Sequence, residues 1–374
     1  MINPDFFYNV LKRNYVVFYT GVPDSLLKDI CAFITDNTET KNHIIAANEG
    51  NAVAIAAGYH MATRQVPLVY MQNSGIGNAV NPLLSLADEK VYSIPMLIMI
   101  GWRGEPGVKD EPQHVKQGEI TLDLMDTMKI PYIILSPEEK EVEQQVKEAI
   151  NQAQQKSIPF AIIVKKGTFE KYSIREKTSL SYEMTREEAI KNIVDQLNGD
   201  EVIVSTTGKT SRELFEYRKA LNHPHHSDFL TVGSMGHASQ IALGIALQKP
   251  NRIVICLDGD GALLMHMGGL AIVGNMAPQN FIHIVINNGA HESVGGQPTV
   301  GFDIDIPQLA LANRYKLALT VETAKDLIDA FNRISTNTCP ALIEIRVKKG
   351  ARDDLGRPTV KPVENKTAFM NNLE

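Results

Sequence analysis

The chain has 374 residues, 44% hydrophobic and 21% charged, with a formal net charge of −6. This is ordinary globular composition with length for two domains. The acidic balance without a basic stripe excludes a nucleic-acid surface. No run of about 20 apolar residues offers a membrane span, and the N-terminal MINPDFFYNVLKRN lacks the apolar core of a signal peptide. Three scattered cysteines, Cys31, Cys256 and Cys339, show neither zinc nor disulfide spacing. That fits a reducing, cytoplasmic setting.

Short β-branched runs alternate with longer amphipathic stretches along the whole chain. YVVFY (15–19), HIIAA (43–47), PLVYM (67–71), PMLIMI (95–100), PYIIL (131–135) and PFAIIV (159–164) predict buried parallel strands, with helices at 24–34 and 138–154. Glu49 closes the second run and precedes a helix of small residues, Ala52, Ala54, Ala56, Ala57 and Gly58. An acid at a helix N-terminus is also what the helix dipole favours. Residues 103–117 predict a loop at a strand end carrying Arg103, Lys109 and His114. The alternation fails over the polar stretch 165–185 and then restarts. EVIVS (201–205), FLTV (229–232), RIVICL (252–257), FIHIVI (281–286), LALT (317–320) and ALIEIRV (341–347) form the second set of strands, with helices at 186–197, 211–221, 238–248 and 324–334. The predicted fold class is therefore α/β, two doubly wound parallel-sheet domains at 1–166 and 185–348 with a linker at 167–184. The tail from 349 to 374 is polar and rich in glycine and proline, which predicts disorder.

In doubly wound sheets ligands sit beyond the carboxyl ends of the strands. Two neighbouring runs of the second half end there in polar residues: Gly259-Asp260-Gly261 after the first, Asn287-Asn288 after the second. The glycines let backbone N–H groups approach a phosphate, and the next helix, starting near Ala262, points its positive end at the site. A carboxylate beside a phosphate requires a bridging cation, and Mg²⁺ takes one or two protein oxygens plus phosphate oxygens. Asp260 and Asn288 stand 28 positions apart, the length of one helix plus one strand. Either alone would be an ordinary turn residue; the pair predicts a metal–diphosphate site.

This pattern resembles the Gly-Asp-Gly…Asn-Asn signature of the thiamine-diphosphate enzymes. The resemblance implies that Asp260, Asn288 and the Ala290 carbonyl bind the metal. Two departures are visible: Ala262 stands where many members have serine, and the spacing is one residue longer than in several, which leaves Asn287 open as the ligand. The family also implies an N-terminal glutamate at the cofactor's aminopyrimidine ring, and Glu49 matches it. Further matches imply a diphosphate-end loop at Gly208, Lys209 and Thr210, where Thr210 and Glu213 also read as a capping box. They imply a loop at 231–240 in which the Gly233 carbonyl meets the 4′-amino group and Met235 wedges the cofactor into a bent shape.

The resemblance covers nearly the whole chain. It is closest to the short decarboxylases of phosphonopyruvate and sulfopyruvate, which lack a middle domain. TGVPDSLL (20–27), MQNSGIGNAVNPL (71–83), RGEPGVKDEPQHVKQG (103–118) and GRPTVKP (356–362) carry it. It implies non-oxidative decarboxylation of a small 2-oxo acid bearing a second anionic group, through a cofactor ylide and enamine. The RDDLGRPT tail favours 3-phosphonopyruvate, in phosphonate biosynthesis, over sulfopyruvate. Asp24 and His114 are candidates for proton transfer, and Arg103, Lys109, His291, Arg352 and Arg357 for substrate contacts. A homo-oligomer of at least two chains is implied, each site drawing Glu49 and Asp260 from different chains. A nicotinamide dehydrogenase is disfavoured because Gly75-Ile-Gly77 lacks the third glycine of GxGxxG. A non-catalytic protein of this fold would be marked by loss of Glu49 or the metal pair, and both are present.

Overall fold

The apolar runs form two all-parallel six-stranded sheets in the computed structural model, which describes residues 1–175 and 181–374. Residues 176–180 of the expected linker lie outside the described residues. The chain divides into two units. The first is Met1–Glu176 with Ser293–Gln297, and the second is Lys177–Glu292 with Pro298–Glu374. Residues 293–297, expected with the second domain, thus group with the first.

Unit 1 runs α1 (Pro4–Arg13), β1 (Tyr19–Gly21), α2 (Lys28–Asn37), β2 (His43–Ile45), α3 (Glu49–Thr63), β3 (Leu68–Gln72), α4 (Ile76–Pro82), β4 (Met96–Gly101), α5 (Pro112–Met128), β5 (Tyr132–Ile134), α6 (Glu139–Lys156) and β6 (Pro159–Val164). Its strand order is β2-β1-β3-β4-β6-β5. Alternate residues of each central strand enter opposite cores. Leu68, Tyr70, Leu97, Met99 and Ile162 pack on one face, and Val69, Met71, Ile98, Ile100 and Ile163 on the other. Both faces being covered explains why these strands read as continuous apolar runs. Each such side chain contributes about 1.5–3 kcal/mol by leaving water.

Unit 2 runs α7 (Arg186–Asp195), β7 (Val202–Ser205), α8 (Lys209–Ala220), β8 (Asp228–Leu230), α9 (Ala238–Gln248), β9 (Val254–Gly259), α10 (Asp260–Met265), α11 (Gly269–Met276), β10 (Phe281–Asn287), α12 (Ile306–Ala312), β11 (Leu317–Val321), α13 (Ala324–Asn332), β12 (Ala341–Arg346) and α14 (Pro362–Asn372). Its order is β11-β12-β10-β9-β7-β8. The chain leaves β7 outward to β8 and returns to β9 on the other side of β7. The loops after β7 and β9 therefore diverge at a topological switch point, the crevice where such sheets take ligands. The equivalent point in unit 1 lies between β1 and β3.

Four expectations change. The first strand begins at Tyr19 rather than Tyr15, because Tyr15 adopts φ 62° and the lead-in residues Val16 and Phe18 are buried outside the ladder. The helix expected from Asp24 starts at Lys28, because Asp24 Oδ2 accepts from the backbone N–H of Leu26 and Leu27 in a turn. The helix expected near Ala262 starts at Asp260. The tail is ordered: Phe369 and Asn365 of α14 are buried. Asn365 Nδ2 donates to the Asp228 carbonyl at 2.8 Å, and its Oδ1 accepts from Leu230 N–H at 3.1 Å, bracketing β8. None of the described helices is long and apolar enough to cross a membrane.

Candidate functional site

In unit 2 the switch-point loops carry Gly208, Lys209 and Thr210 after β7 and residues 259–262 at the end of β9, while Gly233 and Met235 follow β8 and Asn288, Ala290 and His291 follow β10. Gly208 takes φ 97° and ψ −141°, a conformation open to glycine, and Lys209 then starts α8. Gly208 is the N-cap, so Thr210 lies inside the first turn. Glu213 pairs with Arg186, so the capping box does not form. Thr206 N–H donates to the Leu257 carbonyl at 2.7 Å, fixing this loop against β9.

Ile286 pairs with Gly259, so Asp260 and the asparagine pair leave the sheet side by side. Asp260 is 3% exposed, and its Oδ2 accepts the Thr299 hydroxyl. Burial pushes its carboxyl up to about 6, opposed chiefly by the Thr299 hydroxyl and the backbone N–H groups of Asn288, Asp260 and Gly261. Asn288 Oδ1 accepts from Ala290 N–H at 3.1 Å, and its Nδ2 donates to Glu292 Oε2 at 2.8 Å. Asn287 is used up in the core. Its Nδ2 donates to the Gly301 carbonyl and Glu344 Oε1, both at 2.7 Å, and its Oδ1 accepts from Gly289 N–H at 3.0 Å. Both asparagine oxygens thus accept a backbone N–H two residues further on, and Asn287 is the more deeply buried of the two.

A Cβ on Gly261 would lie 3.0 Å from the His291 ring and 3.5 Å from the Met235 methyl, so these three residues and Asp260 converge. Met235 is half-buried on a tight loop between Ser234 (φ 55°) and Gly236 (φ 84°), just after Gly233. Burial lowers His291 to about 4, leaving the ring neutral at pH 7. Deeper in the sheet, strand register places His283 opposite Cys256. With Asp258 these form a buried cluster, and His283 faces Asp258 at 3.4 Å and the Tyr315 hydroxyl at 3.3 Å. No sequence spacing signalled that grouping.

In unit 1, Glu49 opens α3 at 5% exposure, and its Oε2 accepts from Asn78 Nδ2 at 2.7 Å. Gly75 backs onto the same side chain: a Cβ there would come within 2.6 Å of Glu49 Cγ. Asp24 is fully buried at the switch point, and burial raises its carboxyl to about 6. Its Oδ1 and His114 Nδ1 are buried without hydrogen-bond partners among the described residues. Burial lowers His114 to about 4, with the Arg103 charge adding to the effect. His114 lies in α5, which begins at Pro112, so the expected loop ends earlier than Gln117. Arg103 Nε donates to Asp110 Oδ2 at 2.8 Å, its Nη2 to Asp110 Oδ1, and its Nη1 to Ser25 Oγ at 2.7 Å. Its charge is thus already matched, whereas Lys109 is exposed. Arg352 is engaged by Glu187 and Asp354, both at 3.1 Å, and by Glu216. Arg357 is exposed beyond Gly356, whose N–H donates to Glu216.

The sequence assigns no individual role to Asn78, Gly75, Thr299 or Glu292, although HESVGGQPT (291–299), just past the metal loop, reads as a pocket-lining stretch that holds the last two. Asn78 and Gly75 lie in a quoted motif, but only the fold aims them at Glu49.

Comparison with known proteins gives two family models. Residues 206–345 match the C-terminal TPP binding domain of thiamine pyrophosphate enzymes, and residues 4–129 match the N-terminal TPP binding domain. The chain is 33% identical to phosphonopyruvate decarboxylase of Streptomyces viridochromogenes, over 93% of this chain and 89% of that one. It is 32% identical to phosphonopyruvate decarboxylase of Streptomyces hygroscopicus, over 93% and 88%. Sulfopyruvate decarboxylase of Methanosarcina acetivorans is 28% identical over 98% and 96%.

Proposed function

The chain belongs to the thiamine-pyrophosphate-dependent decarboxylases, and from that premise we propose that it converts 3-phosphonopyruvate to phosphonoacetaldehyde and CO₂. The observation that carries the site is Asp260: a carboxylate only 3% exposed, raised to about 6 by burial, beside the asparagine pair where β9 and β10 leave the sheet. A divalent metal fits that position. Asp260, the Asn288 oxygen and the Ala290 carbonyl are hard oxygen donors of the kind Mg²⁺ takes, with phosphate oxygens completing its shell. Gly208, Lys209 and Thr210 at the positive end of α8, with Gly259, Gly261 and Ala262, would hold the diphosphate. Gly233 and Met235 would face the rings.

Thiamine diphosphate, when bound, supplies the electron sink for the charge left by CO₂. Glu49 would hold a proton at N1′ of the aminopyrimidine ring. Asn78 fixes the carboxylate for that task, and Gly75 leaves it room. Asp24 is protonated below about pH 6, and His114 is neutral. Their buried atoms, unpartnered among the described residues, would give and accept the proton that replaces CO₂. The substrate's phosphonate calls for cationic contacts. Lys109 and Arg103 are candidates, with His291 as an uncharged N–H donor and Arg352 and Arg357 from the tail.

We place the protein in the cytoplasm, in phosphonate biosynthesis, as a homo-oligomer of at least two chains. The phosphonopyruvate relatives favour phosphonate over sulfonate, and the Methanosarcina relative supports sulfopyruvate as the second reading. The test is CO₂ release by purified protein loaded with thiamine diphosphate and Mg²⁺. Roughly tenfold or greater preference in kcat/KM for 3-phosphonopyruvate is expected, about 1.4 kcal/mol of discrimination. Preference for 3-sulfopyruvate establishes the second reading, and turnover of neither refutes both.

A further inference from the structure

Asn288 and Lys209 reach the candidate cofactor site from different loops, one after β10 and the other at the start of α8. One side chain holds both. Glu292 Oε2 accepts from Asn288 Nδ2 at 2.8 Å and from Arg186 Nη1 at 2.6 Å, and its Oε1 accepts from Lys209 Nζ at 3.2 Å. Arg186 is itself clamped by Glu213, with Nε and Nη2 on the two carboxylate oxygens at 2.7 and 2.8 Å. The Arg186 and Glu213 side chains are 6% and 0% exposed, and that of Glu292 is 13% exposed. Two cations and two anions balance, so the cluster adds no net charge beneath the site.

The orientation of Asn288 follows from donor chemistry. A primary amide fits a given space either way round, but a carboxylate only accepts. Glu292 therefore takes the NH₂ end, and Oδ1 turns to the other side, where it accepts from the Ala290 N–H at 3.1 Å with a lone pair to spare. Oδ1 is the only end that can bind a cation. The reversed amide would set its oxygen against a carboxylate and offer N–H to the metal.

We propose that Glu292 is a positioning residue of the cofactor site: by taking the Asn288 NH₂ and the Lys209 ammonium, it aims the Asn288 oxygen at the divalent cation and Lys209 at the diphosphate end. The inference rests on the reading that Asp260, Asn288 and Ala290 hold that cation. Arg186 and Glu213 act one step further back, as the fixed base of Glu292.

Glutamine separates the two contacts. In Glu292→Gln the carbonyl oxygen can face Arg186 and Asn288 while the NH₂ faces Lys209, so the Asn288 orientation survives and the lysine contact is lost. Glu292→Ala removes both, and Glu292→Met removes both at nearly constant volume should the alanine variant fold poorly. The readout is Mn²⁺ binding with saturating thiamine diphosphate and no substrate, from the electron paramagnetic resonance signal of free Mn²⁺, alongside urea unfolding of the cofactor-free proteins. The expected result is a 10–100-fold rise in the Mn²⁺ Kd for Glu292→Ala and Glu292→Met, and a change within about threefold for Glu292→Gln. Lower stability with unchanged Mn²⁺ affinity would make Glu292 scaffold only and overturn the proposal. Equal loss in the glutamine and alanine variants would overturn it too, because charge rather than amide orientation would then decide affinity. Wild-type protein that binds no Mn²⁺ with thiamine diphosphate would refute the metal reading itself, and this inference with it.

Discussion

Replacing Asp24 with asparagine should make the protein more stable at neutral pH and nearly inactive. Asp24 is fully buried; its Oδ2 accepts from Leu26 N–H at 2.9 Å and Leu27 N–H at 3.3 Å, and its Oδ1 has no partner. Burial raises the carboxyl from 3.8 to about 6, outweighing the backbone donors and the Arg103 charge. Between those two pH values the folded state holds a proton that the unfolded chain has released. Stability therefore falls as pH rises through this window, by about 1.4 kcal/mol per pH unit and ~3 kcal/mol in all. The contribution is fully present below pH 3.8 and lost above about 6. Asparagine keeps an oxygen for the two backbone donors and carries no charge at any pH. Urea unfolding followed by Trp102, the single tryptophan and a buried residue of unit 1, reports the right region. The stability advantage of the variant over wild type should widen by ~1.4 kcal/mol between pH 5 and pH 7.5, and kcat should fall about 10²–10⁴-fold. A gap that does not change with pH, or a variant less stable than wild type at pH 7.5, would refute the reasoning.

Gly75→Ala pushes a methyl group into Glu49; kcat should fall at least roughly tenfold while the urea midpoint barely moves, as expected for a displaced catalytic group. Asp260→Ala should lose the stabilisation that thiamine diphosphate with Mg²⁺ gives wild type, about 2.7 kcal/mol at 100 times Kd, and a normal melting shift in the variant would contradict the metal assignment. Glu49→Gln should bind cofactor but lose hydrogen–deuterium exchange at thiazolium C2, measured by NMR; wild-type exchange would give Glu49 another role. Mixing the Glu49→Gln and Asp260→Ala proteins under subunit exchange should restore activity, and verified heterodimers without activity would mean that each chain builds its own site.

What the sequence reveals depends on how a residue is buried. β9 and β10 are legible because both their faces enter cores, so their apolar runs are unbroken. α5 is hidden because its buried positions hold His114, Gly118 and Thr121 before reaching Met125 and Met128, so the spacing is helical but the residues are not apolar. Asp260 and Asn288 can be found from chain distance, although two short helices, α10 and α11, rather than the single one expected, precede the strand that returns the chain to the same edge. The Arg186–Glu213–Glu292 cluster cannot: its members come from α7, α8 and the loop after β10, and tertiary packing alone brings them together. Likewise, nothing local shows that Asn287 meets Glu344 on the neighbouring strand β12 while Asn288 meets Glu292.

Asn365 has a consequence for how the chain behaves in a crowd. β8 is the last strand of its sheet, and the peptide groups of Asp228 and Leu230 that face away from β7 are the kind another chain's strand could pair with. The Asn365 carboxamide offers them one donor and one acceptor, doing for this edge what a further strand would do. A chain ending at residue 360 should therefore scatter more light on standing than the full chain, with no change in its active-site residues. The polar tail whose composition predicts disorder thus satisfies the outer peptide groups of this edge strand.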